Sequence, residues 1–252
     1  MSLSRIYLTI MSIGKEFLEQ TKEKYYPETD QQKGLPRPPF ELEYDSSIPL
    51  IQLPEPVDIK LKDKNLRECI ENRKSVREYS KKPLSIEELS YLLWCTQGVK
   101  EITDKRLLRT VPSAGARHPF ETFILVKNVT DLKPGLYRFI STKHALIEIN
   151  LDENITQKIK DACGSQDLYD TCAAVFIWAA VPYRTTWRYW ERGYRYLLID
   201  AGHICQNLYL AGESIGCGVC AVDSFDDDEL NKILELDGEN MFALYMGVVG
   251  KK

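Results

Sequence analysis

The chain has no apolar run near the roughly 20 residues that a membrane-crossing helix needs; stretches such as residues 173–181 stop far short. The apolar piece at residues 6–10 is too short for the core of a secretory signal, and Lys15 and Glu16 follow it without a small-residue cleavage site. There is no block of Lys or Arg, and 33 basic against 37 acidic residues leave a net charge of -4. No phosphate-backbone partner is therefore expected. Cys217 and Cys220 form a C-x-x-C with no second pair to complete the four ligands of a structural zinc site. The seven cysteines, an odd number spread through apolar segments (Cys69, Cys95, Cys163, Cys172, Cys205, Cys217 and Cys220), read as reduced, buried thiols. These absences point to a cytoplasmic protein with no nucleic acid, no membrane and no metal.

What is present suits one large core, with 44% hydrophobic residues in 252. Residues 1–60 read as a Pro-rich N-terminal arm, with an amphipathic piece at 13–24 and prolines at 27, 36, 38, 39, 49, 54 and 56 that forbid regular helix. Met11 is an alternative start. Residues 61–252 form the body.

From Asn65 the periodicity is helical, with Leu66, Cys69 and Ile70 on one face, and it runs into Arg73-Lys74-Ser75-Val76-Arg77. Three cations and a hydroxyl in five residues offer a phosphate monoester charge and directed donors. A solvated basic turn is the plainer reading of so short a match. Ser85 and Glu88 predict a capping box for a helix with Leu89, Leu92, Leu93 and Thr96 facing inward, ended by Gly98.

Pro112, Ser113, Ala114, Gly115 and Ala116 then make a turn of small residues running into a strand. Nothing there shields the backbone, so it can approach a flat polar ligand edge-on, although a plain connecting turn would look the same. Strands are expected at 121–126, 135–140 and 145–149, a helix at 152–163, and a central strand at 173–181, where the apolar run is continuous.

Residues 183–196 interleave arginines with Tyr and Trp, as a lid over a flat ligand or as a helix whose rings pack inward. A long helix continues to Ser214, and His203 and Asn207, four apart, read as a packing pair. Residues 217–222 are a strand ending at Asp223 and Ser224, and Asp226 to Glu229 place acids at the start of another helix. Residues 242–249 are the last strand.

The ordered motifs R-x-S-x-R, P-S-A-G-A-x-H-P and D-S-F-D-D-D-E-L resemble the nitroreductase-like flavoprotein superfamily. Pro83 to Leu89, Leu93-Trp94, Pro134-Gly135-Leu136-Tyr137, residues 191–196 and Asp200-Ala201-Gly202-His203 are similar to its SagB-type (thiazoline/oxazoline) dehydrogenase branch. The resemblance implies an α+β fold, a mostly antiparallel central sheet wrapped by helices, and an intertwined homodimer holding FMN at the subunit interface. It implies a phosphate clamp of Arg73, Lys74, Ser75 and Arg77. It places Pro112 to Ala116 along the isoalloxazine, in part for the partner subunit's flavin, and Val222, Asp223 and Ser224 at its N5 edge. Lys251 or Lys252 would finish the phosphate site.

The Lys-Tyr pair with which the branch removes a ring proton reads here as Arg188-Tyr189, or alternatively Arg195-Tyr196. An Arg stays protonated near neutral pH, so Arg188 orients substrate rather than acting as base, with Tyr189 left as acid. The expected function is an FMN-dependent oxidoreductase passing hydride from NAD(P)H to a small acceptor such as a nitroaromatic or quinone. An azoline dehydrogenase acting on a modified peptide and a non-catalytic flavin-binding scaffold are the alternatives.

Overall fold

In the computed structural model of the chain, residues 12–59 and 64–252 are described. Met11, the apolar piece at 6–10 and the boundary between residues 60 and 61 lie outside them. The N-terminal elements are α1 (Ser12–Gln20), ahead of the first proline, and β1 (Ile51–Gln52). Next come α2 (Leu66–Asn72), α3 (Ile86–Gln97) and a hairpin of β2 (Val99–Thr103) and β3 (Arg106–Arg109). Then follow β4 (Phe120–Val126), β5 (Gly135–Ile140), β6 (Ala145–Asn150), α4 (Ile155–Ala162), α5 (Leu168–Thr171) and β7 (Ala174–Ala180). The chain closes with α6 (Tyr183–Tyr189), α7 (Gly193–Ser214), β8 (Cys217–Val222), α8 (Asp227–Ile233) and β9 (Phe242–Lys251).

Seven strands make one antiparallel sheet in the order β1-β6-β5-β4-β7-β9-β8. β7 is buried along its whole length because it lies between β4 and β9, pairing Ile177 with both Phe123 and Met246. Alternation sends its side chains to opposite faces. Phe176 and Trp178 join Leu89, Leu93, Leu197, Ile204 and Leu208 of α3 and α7 on one side. Val175 and Ile177 join Ile155, Ile159 and Leu230 of α4 and α8 on the other. The architecture is α+β, with helices on both faces of the sheet. None of the described helices is long and apolar enough to cross a membrane.

Local chemistry sets the helix starts. Ser85 and Glu88 exchange the two hydrogen bonds of a capping box, 3.2 and 3.0 Å. Asn65 caps α2 and Asp226 caps α8, each accepting from the backbone three residues on. Two expectations need correction here. α2 stops at Asn72 because Arg73 turns extended, so the helix does not run into the basic motif. Of its apolar face only Cys69 is buried, and Leu66 and Ile70 stand exposed.

Candidate functional site

The basic motif lies against the edge strand β8. Ser75 bridges Val219, the Val76 N–H donates to the Val219 carbonyl at 2.9 Å, and a Cβ on Gly218 would meet Val76 at 2.7 Å. Glycine at 218 is therefore what admits this segment. One phenol organises it: the Tyr209 oxygen accepts from the Ala221 N–H at 2.8 Å and shares a 2.9 Å hydrogen bond with Ser75 Oγ. The Arg73 guanidinium lies 5.2 Å from the centre of the same ring. Lys74, Ser75 and Arg77 are exposed and Arg73 half-buried, and among the described residues none of the three cations pairs with a carboxylate. Val222 ends β8 just beyond, with Asp223 and Ser224 exposed in the turn.

The small-residue loop is held elsewhere on α7. Ser113 Oγ donates to Asp200 Oδ2 at 2.5 Å, the Ala114 N–H to Asp200 Oδ1 at 3.3 Å, and the His118 N–H to Ser113 Oγ at 2.9 Å. Burial pushes the Asp200 carboxyl above its ordinary range, against the pull of the Ser113 and Ala114 donors. Gly115 takes φ +57°, and a Cβ there would lie 2.4 Å from the Tyr189 hydroxyl oxygen and 3.4 Å from an Arg188 terminal nitrogen. Arg188 and Tyr189 thus close on the loop, with the Tyr196 ring edge-on to Tyr189 at 4.8 Å.

Under this corner is a buried frame. Arg184 donates to Glu121 at 2.5 Å, with both side chains almost fully buried, and its Nε donates to the Pro39 carbonyl at 2.9 Å. Arg117 donates from Nε to the Arg184 carbonyl at 2.7 Å and stacks on Trp187 at 4.9 Å. Burial, then the neighbouring Arg37 and Arg188 guanidinium groups, pull Arg117 down to about 10.

The structure gathers Arg73, Ser75 and the β8 terminus in one place and Pro112–Ala116, Arg188 and Tyr189 in another. Asp200 and Tyr209 anchor the two groups nine residues apart on α7. That is about 13 Å along the axis and about half a turn around it, so they sit on opposite flanks of one helix. The Arg-aromatic segment resolves into α6, with Trp187 buried and Tyr183 exposed, followed by a short turn into α7.

Two pairings are corrected. His203 is exposed beside Asp200, while Asn207 donates to the Cys95 carbonyl at 2.9 Å, so the two do not form a pair. Lys251 pairs with Glu88 and Lys252 with Glu213, so both ammonium groups are engaged by carboxylates rather than left for a phosphate. Asp200, Tyr209, Arg117, Glu121 and Arg184 carry no role in the sequence reading. A lone acid on the apolar face of a long helix and a lone acid in an apolar strand were the signals for Asp200 and Glu121. Tyr209 offered none.

Comparison with known proteins bears on this arrangement. The model of the Nitroreductase family matches residues 70–251. A protein of Methanocaldococcus jannaschii named as a nitroreductase is 38% identical over 202 residues, which are 80% of this chain and 96% of that protein. The trifolitoxin-processing protein TfxB of Rhizobium leguminosarum bv. trifolii is 28% identical over 139 residues, 54% of this chain and 37% of that protein. A chain of the Escherichia coli microcin synthetase McbBCD complex, solved with truncated pro-MccB17 bound, superposes with a TM-score of 0.61. It is 19% identical, with 100% of this chain and 98% of that chain covered, a likeness of fold.

Proposed function

Because the chain belongs to the nitroreductase family of oxidoreductases, we propose that it is an FMN-dependent enzyme, working as a homodimer, that passes hydride from NAD(P)H to a small acceptor such as a nitroaromatic or quinone. The observation behind this reading is the split site. In a dimer the loop at 112–116 of one subunit would face the basic motif at 73–77 of the other. The outward face of α7 has the character of such a contact: Leu198 and Ile199 are exposed, and Gly202 has open space where a side chain would be.

The residues fit FMN. Among the described residues Arg73, Lys74 and Arg77 have no carboxylate partner, and with the Ser75 hydroxyl beside them they make a donor set that suits a phosphate monoester. Pro112, Ser113, Ala114, Gly115 and Ala116 would line the ring, held by Asp200. Val222, Asp223 and Ser224 would face its reactive edge with backbone groups. When bound, FMN supplies the two-electron chemistry of hydride transfer. Tyr189 stands at the loop with a hydroxyl able to give or take one proton, and Arg188 beside it orients the substrate.

A second reading, oxidation of azoline rings in a modified peptide, draws on the trifolitoxin-processing relative and on the Arg188-Tyr189 pair beside Gly115. Anaerobic titration with NADH and NADPH, followed by flavin bleaching, tests the first reading. Oxidation of a thiazoline peptide by pure protein, without bleaching by either nucleotide, favours the second. Replacing Arg73→Ala together with Arg77→Ala removes the bound yellow chromophore, and colour that survives the double change refutes the phosphate assignment.

A further inference from the structure

Resting on that reading of the site, we propose that Tyr209 is a positioning residue for the flavin phosphate. Its hydroxyl fixes the direction of a hydrogen-bond chain that runs from the Ala221 N–H through Tyr209 to Ser75 and leaves the Ser75 proton for an anionic oxygen. The first observation is how the basic motif meets the sheet. β8 ends the order of the seven strands, so one of its sides carries backbone groups that no strand pairs. On that side the Val219 carbonyl takes the Val76 N–H at 2.9 Å, and the segment joins β8 by a single bridge at Ser75. The next donor along, the Ala221 N–H, goes instead to the Tyr209 hydroxyl oxygen at 2.8 Å.

The second observation is the order of donors. An N–H can only donate, and a phenol has one proton to give. With the Ala221 N–H delivered to its oxygen, Tyr209 gives that proton to Ser75 Oγ at 2.9 Å. Ser75 then accepts on one side, and its own proton meets no acceptor among the described residues. Ser75 is exposed between the exposed Lys74 and Arg77, and among the described residues neither cation pairs with a carboxylate. The Arg73 guanidinium, 5.2 Å from the centre of the Tyr209 ring, ties one more member of the motif to the same side chain.

A serine hydroxyl left to itself rotates and serves donors and acceptors alike. One that already accepts from a phenol is set as a donor, and bonds aligned head to tail strengthen one another. Only an acceptor oxygen completes such a chain, and among three cations that oxygen is an anion's. A tyrosine kept only to cap the edge of β8 would act through Ala221 and be indifferent to Ser75. One that positions the clamp acts through Ser75, and the two roles separate by experiment.

The test titrates FMN and riboflavin, which differ by the phosphate alone, into full-length protein freed of flavin, followed by flavin fluorescence. The parent should bind FMN at least about a hundredfold tighter, from several charge-assisted hydrogen bonds at about tenfold each. Ser75→Ala should lower that preference about tenfold. Tyr209→Phe, which keeps the ring beside Arg73, should lower it about threefold or more, the scale of one neutral hydrogen bond, and leave riboflavin affinity unchanged. The double variant should bind FMN no more weakly than Ser75→Ala alone, because the phenol has nothing left to act through. A Tyr209→Phe protein that keeps the parent's preference, or that loses riboflavin as strongly as FMN, overturns the proposal. So does a double variant in which the two losses multiply, since the phenol then works through Ala221 alone. In each of these cases a parent that prefers FMN leaves the phosphate clamp standing. Equal affinity of the parent for FMN and riboflavin removes the clamp itself, and this proposal with it.

Discussion

The Ser113 hydroxyl donates to the buried carboxylate of Asp200 at 2.5 Å across 87 residues of sequence, and the same carboxylate accepts the next backbone N–H of the loop. One acid on α7 therefore sets where the 112–116 loop stands. Replacing Asp200→Ala leaves both donors without an acceptor and should cost about 1–3 kcal/mol in urea unfolding. Asp200→Asn keeps one acceptor and should fall between. Because burial raises this carboxyl, the folded state holds its proton longer than the unfolded one. Stability therefore drops as pH climbs from the ordinary carboxylate range through the raised value, and Asp200→Asn should abolish that drop. An Asp200→Ala protein as stable as the parent would show that the loop is held by something else.

Gly115 is required twice over, by its φ of +57° and by the Tyr189 hydroxyl 2.4 Å from where its Cβ would be. Gly115→Ala should destabilise by about 1–3 kcal/mol through the backbone cost and the displaced ring. Part of that cost belongs to the contact alone, so Gly115→Ala should be milder in a Tyr189→Phe background. A double-mutant cycle should return a coupling of about 0.5 kcal/mol or more. A coupling of zero would mean that loop and phenol do not touch in solution.

The Arg184–Glu121 pair ties three parts of the chain together. Glu121 also accepts from the Leu42 N–H at 2.9 Å, and Arg184 reaches the Pro39 carbonyl, so one buried pair fastens residues 39–42 to β4 and α6. Removing one partner of a buried pair typically costs about 3–5 kcal/mol, because the other charge stays buried alone. Glu121→Gln and Arg184→Met should each show a loss of that size, and limited proteolysis should cut first near residues 36–44. Intact resistance there in both variants would separate the segment from the pair.

Signals confined to a few neighbouring residues were legible in the sequence. The unbroken apolar run became β7, Ser85 and Glu88 became a capping box, and Asp226 became a helix cap, since each depends on its own segment. The β2–β3 hairpin was not, because Lys100, Glu101, Asp104, Lys105 and Arg106 hide its alternation. The site divides in the same way. Arg188, Tyr189 and Gly115 could be named singly, but their meeting depends on a fold that brings residues 115 and 189 together. The His203–Asn207 pairing failed because correct spacing does not decide between partners, and the Cys95 carbonyl gave Asn207 a better one. Asp200 with Ser113, Glu121 with Arg184 and Tyr209 with Ser75 are long-range bonds that no local pattern announces.

His118 makes the last of these frames sensitive to acid. It is buried beside the loop at φ +46°, and burial, then the Arg109 and Arg117 charges, hold its imidazole down at about 3. A base depressed in the folded state gives stability that is whole above the unfolded value near 6.5. That stability is lost as pH falls toward the folded value, because the unfolded chain takes up a proton that the folded one refuses. Between about pH 6 and pH 4 this one group should contribute a slope of about 1.4 kcal/mol per pH unit. His118→Gln removes the titration while keeping a neutral polar side chain. The difference in unfolding free energy between parent and variant, taken from urea curves at steps from pH 7 to pH 4, should therefore shift steadily in favour of the variant. A difference that stays constant with pH would show that the imidazole accepts a proton inside the folded protein, and that the arginines around it do not press on this position.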